Sequence, residues 1–268
     1  MATYVFELVQ PGVWLEGYED DAESRSDIES LIRLLVQCVG DAAIALNMFE
    51  AESNLGRDSS ERRMAEWEAD RERERAIRES LESQLPGDLP FEQRFAAMDA
   101  IRESASVEAK RQKWREGQLP EEYQHRLPFI HAKSCVYALD TLVKAMRLLA
   151  GIPSVPSTVS DALDDFNEAF PDLVHVRDSS HHAEDRVQGK RRDVRIELGP
   201  VTNDAIHAPG GGVLISDMLI NNRYGGTLGD GSYGEVEISA DSVVVAQACV
   251  QRILSAFEWR GSEMHMPR

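Results

Sequence analysis

The sequence predicts a mainly α fold, a helical bundle that carries a small C-terminal β-hairpin or sheet insertion before its last helix. Apolar residues recur at helical spacing in several long stretches, whereas residues 193–239 combine strand-like alternation with turn residues. The chain has 268 residues, 42% of them hydrophobic, so it can fill a core. Because no repeat or low-complexity linker divides it, we expect a single helical domain over residues 1–268.

The N-terminal 26 residues are predicted to form an extended arm. Residues 2–9 alternate loosely, and Pro11 and Gly12 end this short strand. The first core helix is expected to begin at Asp27, as N-cap, and to end near Asn54. Its apolar residues repeat at helical spacing: Ile28, Leu31, Ile32, Leu35, Val39, Ala42, Leu46 and Phe49.

Residues 58–85 predict a different helix, in which arginines alternate with glutamates and aspartates. This spacing supplies many ion pairs between residues three and four apart, and the apolar stripe is sparse. We interpret it as a solvated helix. The alternative, that its arginines bind nucleic acid, is disfavoured because acids outnumber bases in this segment.

Further helices are predicted over 91–112, 129–150, 161–170, 171–189 and 242–259. Pro120 and Pro128 are expected to bracket a connection before the second of these. Strands are predicted at 194–198, 213–220 and 233–238, and Asp230-Gly231 is typical of a two-residue hairpin turn. The glycines of this region fit no phosphate-binding motif, so they predict turns and bulges.

Charge and cysteine content exclude several classes of protein. Lys and Arg number 29 against 47 Asp and Glu, a formal net charge of −18, so any nucleic-acid site must be a local patch. The three cysteines stand far apart, which excludes a disulfide framework and a zinc ribbon. Without a basic leader or an apolar run of about 20 residues, the chain is expected to be cytoplasmic, with no membrane partner.

Residues 171–192 hold most of the groups that could carry chemistry. On a continuous helix, one buried seam is predicted, made of Leu173, Val176, Ser180, Ala183 and Val187. At about 100° per residue, Arg177, His181 and Glu184 then share one flank of the helix. Asp178, His182 and Asp185 lie toward the opposite, outward side.

Arg177 to His182, with the sequence RDSSHH, resembles the R-polar-x-x-x-H signature of the HEPN family. The following Glu184-Asp185-Arg186 and Gly189 resemble a variant tail of that motif. The resemblance implies a helical bundle and, as in many members, a dimeric ribonuclease. It also implies that Arg177 and His182 meet their copies across a dimer cleft, forming one composite, metal-independent site for RNA cleavage.

The resemblance further implies that His182 acts as general base or acid on the ribose 2′-hydroxyl or the leaving oxygen, while Arg177 holds the charged phosphorane. An imidazole, with an unperturbed pKa of about 6.5, suits this task. Asp178, four residues before His182, is predicted to fix the imidazole tautomer. The segment 173–195 has six basic against four acidic residues, and the bases expected to bind RNA are Arg186, Lys190, Arg191 and Arg192.

The sequence therefore predicts a metal-independent endoribonuclease of the toxin or defence type. We expect a homodimer, an RNA substrate, no cofactor or metal, and a neutralising protein partner. One alternative is a non-enzymatic, HEPN-like interaction or nucleotide-binding scaffold, and another is a solvated helix face on which Arg177 pairs with a carboxylate. A third is a metal site drawn from His175, His181, His182, Glu184 and Asp185.

Overall fold

The computed structural model describes residues 3–18, 21–57 and 60–267, and it confirms the mainly α fold. The helices of the described residues are α1 (Ala22–Arg57), α2 (Ser60–Glu82), α3 (Phe91–Arg115), α4 (Glu121–Ala150), α5 (Thr158–Ala169), α6 (Leu173–His181), α7 (Ala183–Arg186) and α8 (Ala240–Ala256). The strands are β1 (Leu8–Gln10), β2 (Trp14–Leu15), β3 (Lys190–Arg191), β4 (Val194–Arg195), β5 (Val201–Thr202), β6 (His207–Ala208), β7 (Met218–Ile220), β8 (Arg223–Thr227), β9 (Tyr233–Glu237), β10 (Trp259–Arg260) and β11 (Met264–Met266).

Tertiary contacts divide the chain into two compact units. One unit comprises Met1–Ala51 and Pro128–Arg268, and the other comprises Glu52–Leu127. The expectation of one domain over the whole chain stays a prediction.

The core of the first unit is built from one face each of α1, α4, α5, α6 and α8, together with β8 and β9. Leu35, Leu139 and Phe166 are completely buried in it. The helical spacing of apolar residues predicted these faces, and the burial confirms them. All three cysteines are buried and free, as expected for packing residues.

The start of the first helix differs from the prediction. α1 begins at Ala22 because the carboxylate of Asp21 accepts a hydrogen bond from the backbone N–H of Ser24 (3.0 Å), so Asp21 rather than Asp27 caps it. Residues 22–26, which were predicted to belong to the extended arm over residues 1–26, form the start of α1. Residues 1, 2, 19 and 20 of the arm lie outside the described part of the chain.

Strands from both ends of the chain hold the arm in place. β1 pairs antiparallel with β11, and β2 pairs antiparallel with β10. Neither C-terminal strand was predicted, because each is only two or three residues long. The side chain of Gln251 on α8 also bonds to both the backbone N–H and C=O of Val9 (2.8 Å each).

α1 is the one described helix that is long and apolar enough to cross a membrane, over Ala22–Ser53. The sequence was expected to hold no apolar run of about 20 residues, so this apolar segment is longer than expected. It is weak support for a membrane span, because core helices pass the same test and Ile28, Leu35 and Phe49 are buried in the core. The structure gives no clear indication of a membrane protein.

In the second unit, α2 packs against α3 and charged residues connect the two helices. Arg73 forms an ion pair with Glu116 (2.7 Å), and Lys113 forms one with Asp70 (2.6 Å). Residues 58 and 59 of the predicted charged helix lie outside the described residues, as do the side chains of residues 60–63. Trp67, from the sparse apolar stripe, is 53% exposed.

Pro128 lies inside α4, where a connection was predicted. Proline costs a helix one hydrogen bond, but the broad apolar face that follows is completely buried at positions such as Cys135 and Leu142. Burial outweighs the local penalty, so the helix continues through the proline.

The β segment folds as small antiparallel sheets, the largest ordered β7-β8-β9. The predicted strands at 194–198 and 213–220 shrink to Val194–Arg195 and Met218–Ile220. β8 was missed because it contains two glycines. A Cβ on Gly225 would lie only 2.2 Å from the carbonyl oxygen of Gly234, so the close approach of β8 and β9 requires glycine there.

The tight turn of this sheet also differs from the prediction. Asn221 and Asn222, between β7 and β8, have φ of 46° and 64°, the left-handed geometry that a two-residue hairpin turn requires. Asp230 and Gly231 lie instead in the longer loop 228–232 between β8 and β9. That loop borders the candidate site.

Candidate functional site

The predicted helix over 171–189 is interrupted at His182. The backbone N–H of His182 makes the last helical bond of α6, to the carbonyl of Asp178 (3.0 Å). His182 itself has φ −104° and ψ 46°, and its carbonyl accepts from the N–H of Asp185 and of Arg186 to begin α7. The chain then turns at Gly189, whose φ is 65°.

This break changes which side chains are buried. Leu173 and Val176 are buried as predicted, but Ser179 rather than Ser180 continues the seam. Ser180 is half-buried, and its hydroxyl shares a hydrogen bond of 2.7 Å with the hydroxyl of Tyr224. Val187, predicted to close the seam, is 62% exposed because the chain has left the helix path by that point.

Arg177 lies on one flank of α6 and is neutralised by carboxylates. Its Nε is 3.2 Å from Oδ2 of Asp140, in an ion pair without hydrogen-bond geometry. Its Nη1 donates to Oδ1 of Asp178 (3.1 Å), and its guanidinium lies 5.2 Å from the centre of the Tyr137 ring. The carboxylate partner that the sequence could not name is thus Asp140, on α4.

His181 belongs to the same flank as Arg177. Its Nδ1 lies 3.4 Å from the hydroxyl of Tyr137, and its ring is tilted against the tyrosine ring. The predicted division of α6 into two polar flanks is therefore correct for Arg177 and His181. Within one chain, the two motif residues Arg177 and His182 face different surroundings.

On the other side of α6, a cleft of about 360 Å³ lies between the helix, the β3–β4 hairpin and the loop after β8. Its lining brings together five of the seven predicted site residues: Asp178, His182, Arg186, Arg191 and Arg192. The predicted residues Arg177 and Lys190 are not part of this lining. Lys190 donates instead from Nζ to the side-chain oxygen of Gln188 (2.9 Å).

His182 stands at the mouth of the cleft, with its side chain 53% exposed. The carboxylate closest to its ring is that of Glu184, whose Oε1 lies 3.6 Å from Nδ1 of His182. Asp178 was predicted to fix the tautomer of His182, but its carboxylate accepts from Arg177. The ring of His182 also lies edge-on to that of His181, with centroids 5.1 Å apart, and its exposure leaves it accessible to a molecule in the cleft.

Arg186 was predicted to bind RNA, and the structure buries it to 4% exposure. Its Nε donates to the hydroxyl of Ser179 (3.2 Å), and its Nη1 donates to the carbonyl of Lys190 (2.6 Å). These bonds tie the end of α6 to the start of the hairpin. Arg186 follows the buried Ser179 by seven residues, so it lies on the same inward face of the segment although the helix breaks at His182.

The β3–β4 hairpin presents Arg191 and Arg192 at the cleft. Arg192 and Asp193 occupy its turn with φ of 48° and 67°, a conformation that is strained for residues other than glycine. The backbone N–H of Arg192 donates to the carboxylate of Asp185 (3.1 Å), which anchors the turn to α7. The side chains of both arginines are exposed.

The predicted site lacked six residues of the lining, of which two had been named only as candidate metal ligands, His175 and Asp185, and four had not been named as site residues: Ser179, Leu228, Gly229 and Asp230. His175 precedes His182 by seven residues, two helical turns, so its place on the same face could have been predicted. Gly229 and Asp230 could not, because only the packing of the sheet brings their loop to α6. Two hydrogen bonds from Ser232 lower the pKa of Asp230 below its ordinary value, which keeps this carboxyl ionised.

The candidate metal ligands do not gather at one point. The rings of His181 and His182 are neighbours, with centroids 5.1 Å apart, but His181 does not line the cleft that His175, His182 and Asp185 line. Among the described residues, no three His, Cys, Asp or Glu side chains converge in a way that could hold a metal ion.

Comparison of the chain with protein-family models, with curated proteins and with solved structures finds no match.

Proposed function

We propose that the chain is a metal-independent endoribonuclease of the HEPN-like, toxin or defence type, and that the RNA phosphodiester is cleaved in the cleft beside α6. The observation that supports this proposal is the grouping of His182 with Arg186, Arg191 and Arg192 around one cleft. A proton-transfer group beside fixed cations is what cleavage of RNA without a metal requires.

In the proposed reaction, an imidazole takes the proton of the ribose 2′-hydroxyl, and the 2′-oxygen attacks the adjacent phosphorus. The bond from phosphorus to the 5′-oxygen breaks, and that oxygen leaves with a proton. The products are a 2′,3′-cyclic phosphate and a 5′-hydroxyl. His182 is the proton carrier, and guanidinium groups stabilise the extra negative charge of the phosphorane.

In this proposal, the arginines of the cleft take over within one chain the role that the HEPN resemblance gives to Arg177. Arg177 is already paired with Asp140 and Asp178, which reduces its capacity to hold a phosphate. The homodimer, a composite site across it, a neutralising protein partner and a cytoplasmic location stay predictions. A dimer would add a second cluster of cations to the surface that meets RNA.

RNA cleavage by the purified chain in EDTA tests the proposal. We expect wild-type protein to leave 2′,3′-cyclic phosphate ends, and His182→Ala to lower the rate by about 100-fold or more. His181→Ala is the matched control, because it removes the neighbouring exposed imidazole, which contacts the ring of His182 but does not line the cleft, and it should retain activity. Expression of the wild type alone should slow the growth of a host, and His182→Ala should not.

A well-folded wild-type protein that cleaves no RNA would contradict the proposal and favour the non-enzymatic scaffold. Equal loss of activity in His181→Ala and His182→Ala would contradict the assignment of the cleft. Activity that depends on an added divalent cation would contradict the metal-independent mechanism.

A further inference from the structure

Arg186 is a buried cation without a countercharge. Its contacts through Nε and Nη1 are with a neutral hydroxyl and a neutral carbonyl. No carboxylate of the described residues lies within ion-pair distance of its guanidinium, although the side chain is almost completely buried. Burying a charge is costly unless an opposite charge accompanies it. The position of Arg186 therefore calls for an anion that the chain does not itself supply.

A second cation lies beside the first. A Cβ placed on Gly229 would be 3.1 Å from Nη2 of Arg186 and 3.2 Å from Nε of Arg191, so both guanidinium groups pack around this glycine. Arg191, like Arg186, forms no ion pair with a described residue. Two like charges repel, and the repulsion is relieved when an anion binds between or beside them.

The carboxylates that line the same cleft are engaged elsewhere. Asp178 accepts from Arg177, Asp185 accepts from the backbone of Arg192, and Asp230 accepts from both the N–H and the hydroxyl of Ser232. None of the three forms an ion pair with Arg186 or Arg191. The free Nη2 of Arg186 thus faces a cleft whose acids already have donors of their own.

We infer that Arg186, Arg191 and the surface of Gly229 form a binding site for one phosphate group. The forked donors of guanidinium match the oxygens of a tetrahedral phosphate, and the missing side chain at Gly229 lets both forks lie close together beside the cleft. Lys190 and Arg195, which belong to the same hairpin, lie outside this site. The inference uses the same cleft as the proposed function and rests on it only for the source of the phosphate, an RNA strand.

Calorimetric titration with inorganic phosphate tests the site without any need for catalysis. Arg191→Gln removes one fork from an exposed side chain, so the fold should survive, and we expect phosphate affinity to fall about tenfold or more. Arg195→Gln is the matched control, since it removes an equal charge from an exposed position on β4 outside the cleft, and its affinity should stay within about twofold. Arg186→Lys keeps the buried charge but loses the fork, and it should also weaken binding.

Adenosine 3′-monophosphate, adenosine 5′-monophosphate and adenosine distinguish the source of the phosphate. Both monophosphates should bind and adenosine should not, and a stronger 3′-ester would favour the product end of a cleaved RNA. The inference is overturned if phosphate does not bind the folded wild type at millimolar concentration, or if Arg195→Gln weakens binding as much as Arg191→Gln. If the protein cleaves RNA but does not bind phosphate, the phosphate site is overturned and the proposed ribonuclease function stands. If it binds phosphate but does not cleave RNA, the proposed function is overturned and the phosphate site stands.

Discussion

Replacement of Arg177 by glutamine is expected to destabilise the fold, because Arg177 neutralises a buried carboxylate. Asp140 is 2% exposed, and its Oδ2 lies 3.2 Å from Nε of Arg177 and 2.7 Å from Nζ of Lys144. Its Oδ1 has no hydrogen-bond partner among the described residues. After the replacement, Lys144, which is 43% exposed, is the remaining cation at Asp140.

The magnitude follows from that geometry. Breaking a fully buried ion pair costs about 3–5 kcal/mol. Here Lys144 still pairs with Asp140, and Arg177 is partly exposed, so we expect a loss of about 2 kcal/mol in the free energy of unfolding. The contact of the guanidinium with the ring of Tyr137 adds about 0.5 kcal/mol.

Urea unfolding followed by both fluorescence and circular dichroism measures this loss as a lower midpoint with an unchanged slope. A double-mutant cycle with Asp140→Asn should give a coupling energy of about 1 kcal/mol or more. His182→Ala is the control, since its side chain is exposed, and its stability should stay within about 0.5 kcal/mol of the wild type. If Arg177→Gln is as stable as the wild type, or if the coupling is zero, the structural role of Arg177 is refuted.

Three further predictions concern the core, the sheet and the buried thiols. Phe166→Ala should lower the free energy of unfolding in urea by about 3–5 kcal/mol, because the ring is completely buried. The control Leu148→Ala, at a residue that is 65% exposed, should lower it by less than about 0.5 kcal/mol. Equal losses would contradict the assigned core. Gly225→Ala should lower the free energy of unfolding by about 2 kcal/mol or more, because the new Cβ would meet the backbone of β9. Gly210→Ala is the control, because Gly210 has open space around it. A Gly225→Ala variant as stable as the wild type would show that the strands pair differently. Burial raises the pKa of the Cys135 thiol to about 12, so the unfolded state releases its proton first and stability should fall as pH rises above about 9, by up to about 1.4 kcal/mol per pH unit from this group. Burial also raises the pKa of Cys38, to about 11, so urea titrations of Cys135→Ala should show a shallower slope and not a flat one. An identical slope in the variant would contradict the prediction.

The helices were predictable because their signal is local. Apolar residues three or four apart, such as Leu35 with Val39 and Leu139 with Leu142, define faces that must be buried wherever the helix packs. The same reasoning placed Asp178 and His182 on one side of the helix, and these two line the cleft while Arg177 and His181 do not, since angular position on a helix depends only on residue number. The short strands had no such signal, because two or three residues carry no measurable alternation.

The candidate site shows where local reasoning ends. The sequence by itself determined the mainly α fold, the buried helix faces and the presence of a basic, histidine-bearing segment after residue 171. Only the tertiary structure decided that the helix breaks at His182, that Arg177 pairs with Asp140, and that Arg186 turns inward toward Gly229. The physical reason is that helical periodicity depends on near neighbours in the chain, whereas the partner of a buried charge is set by which distant segment packs against it.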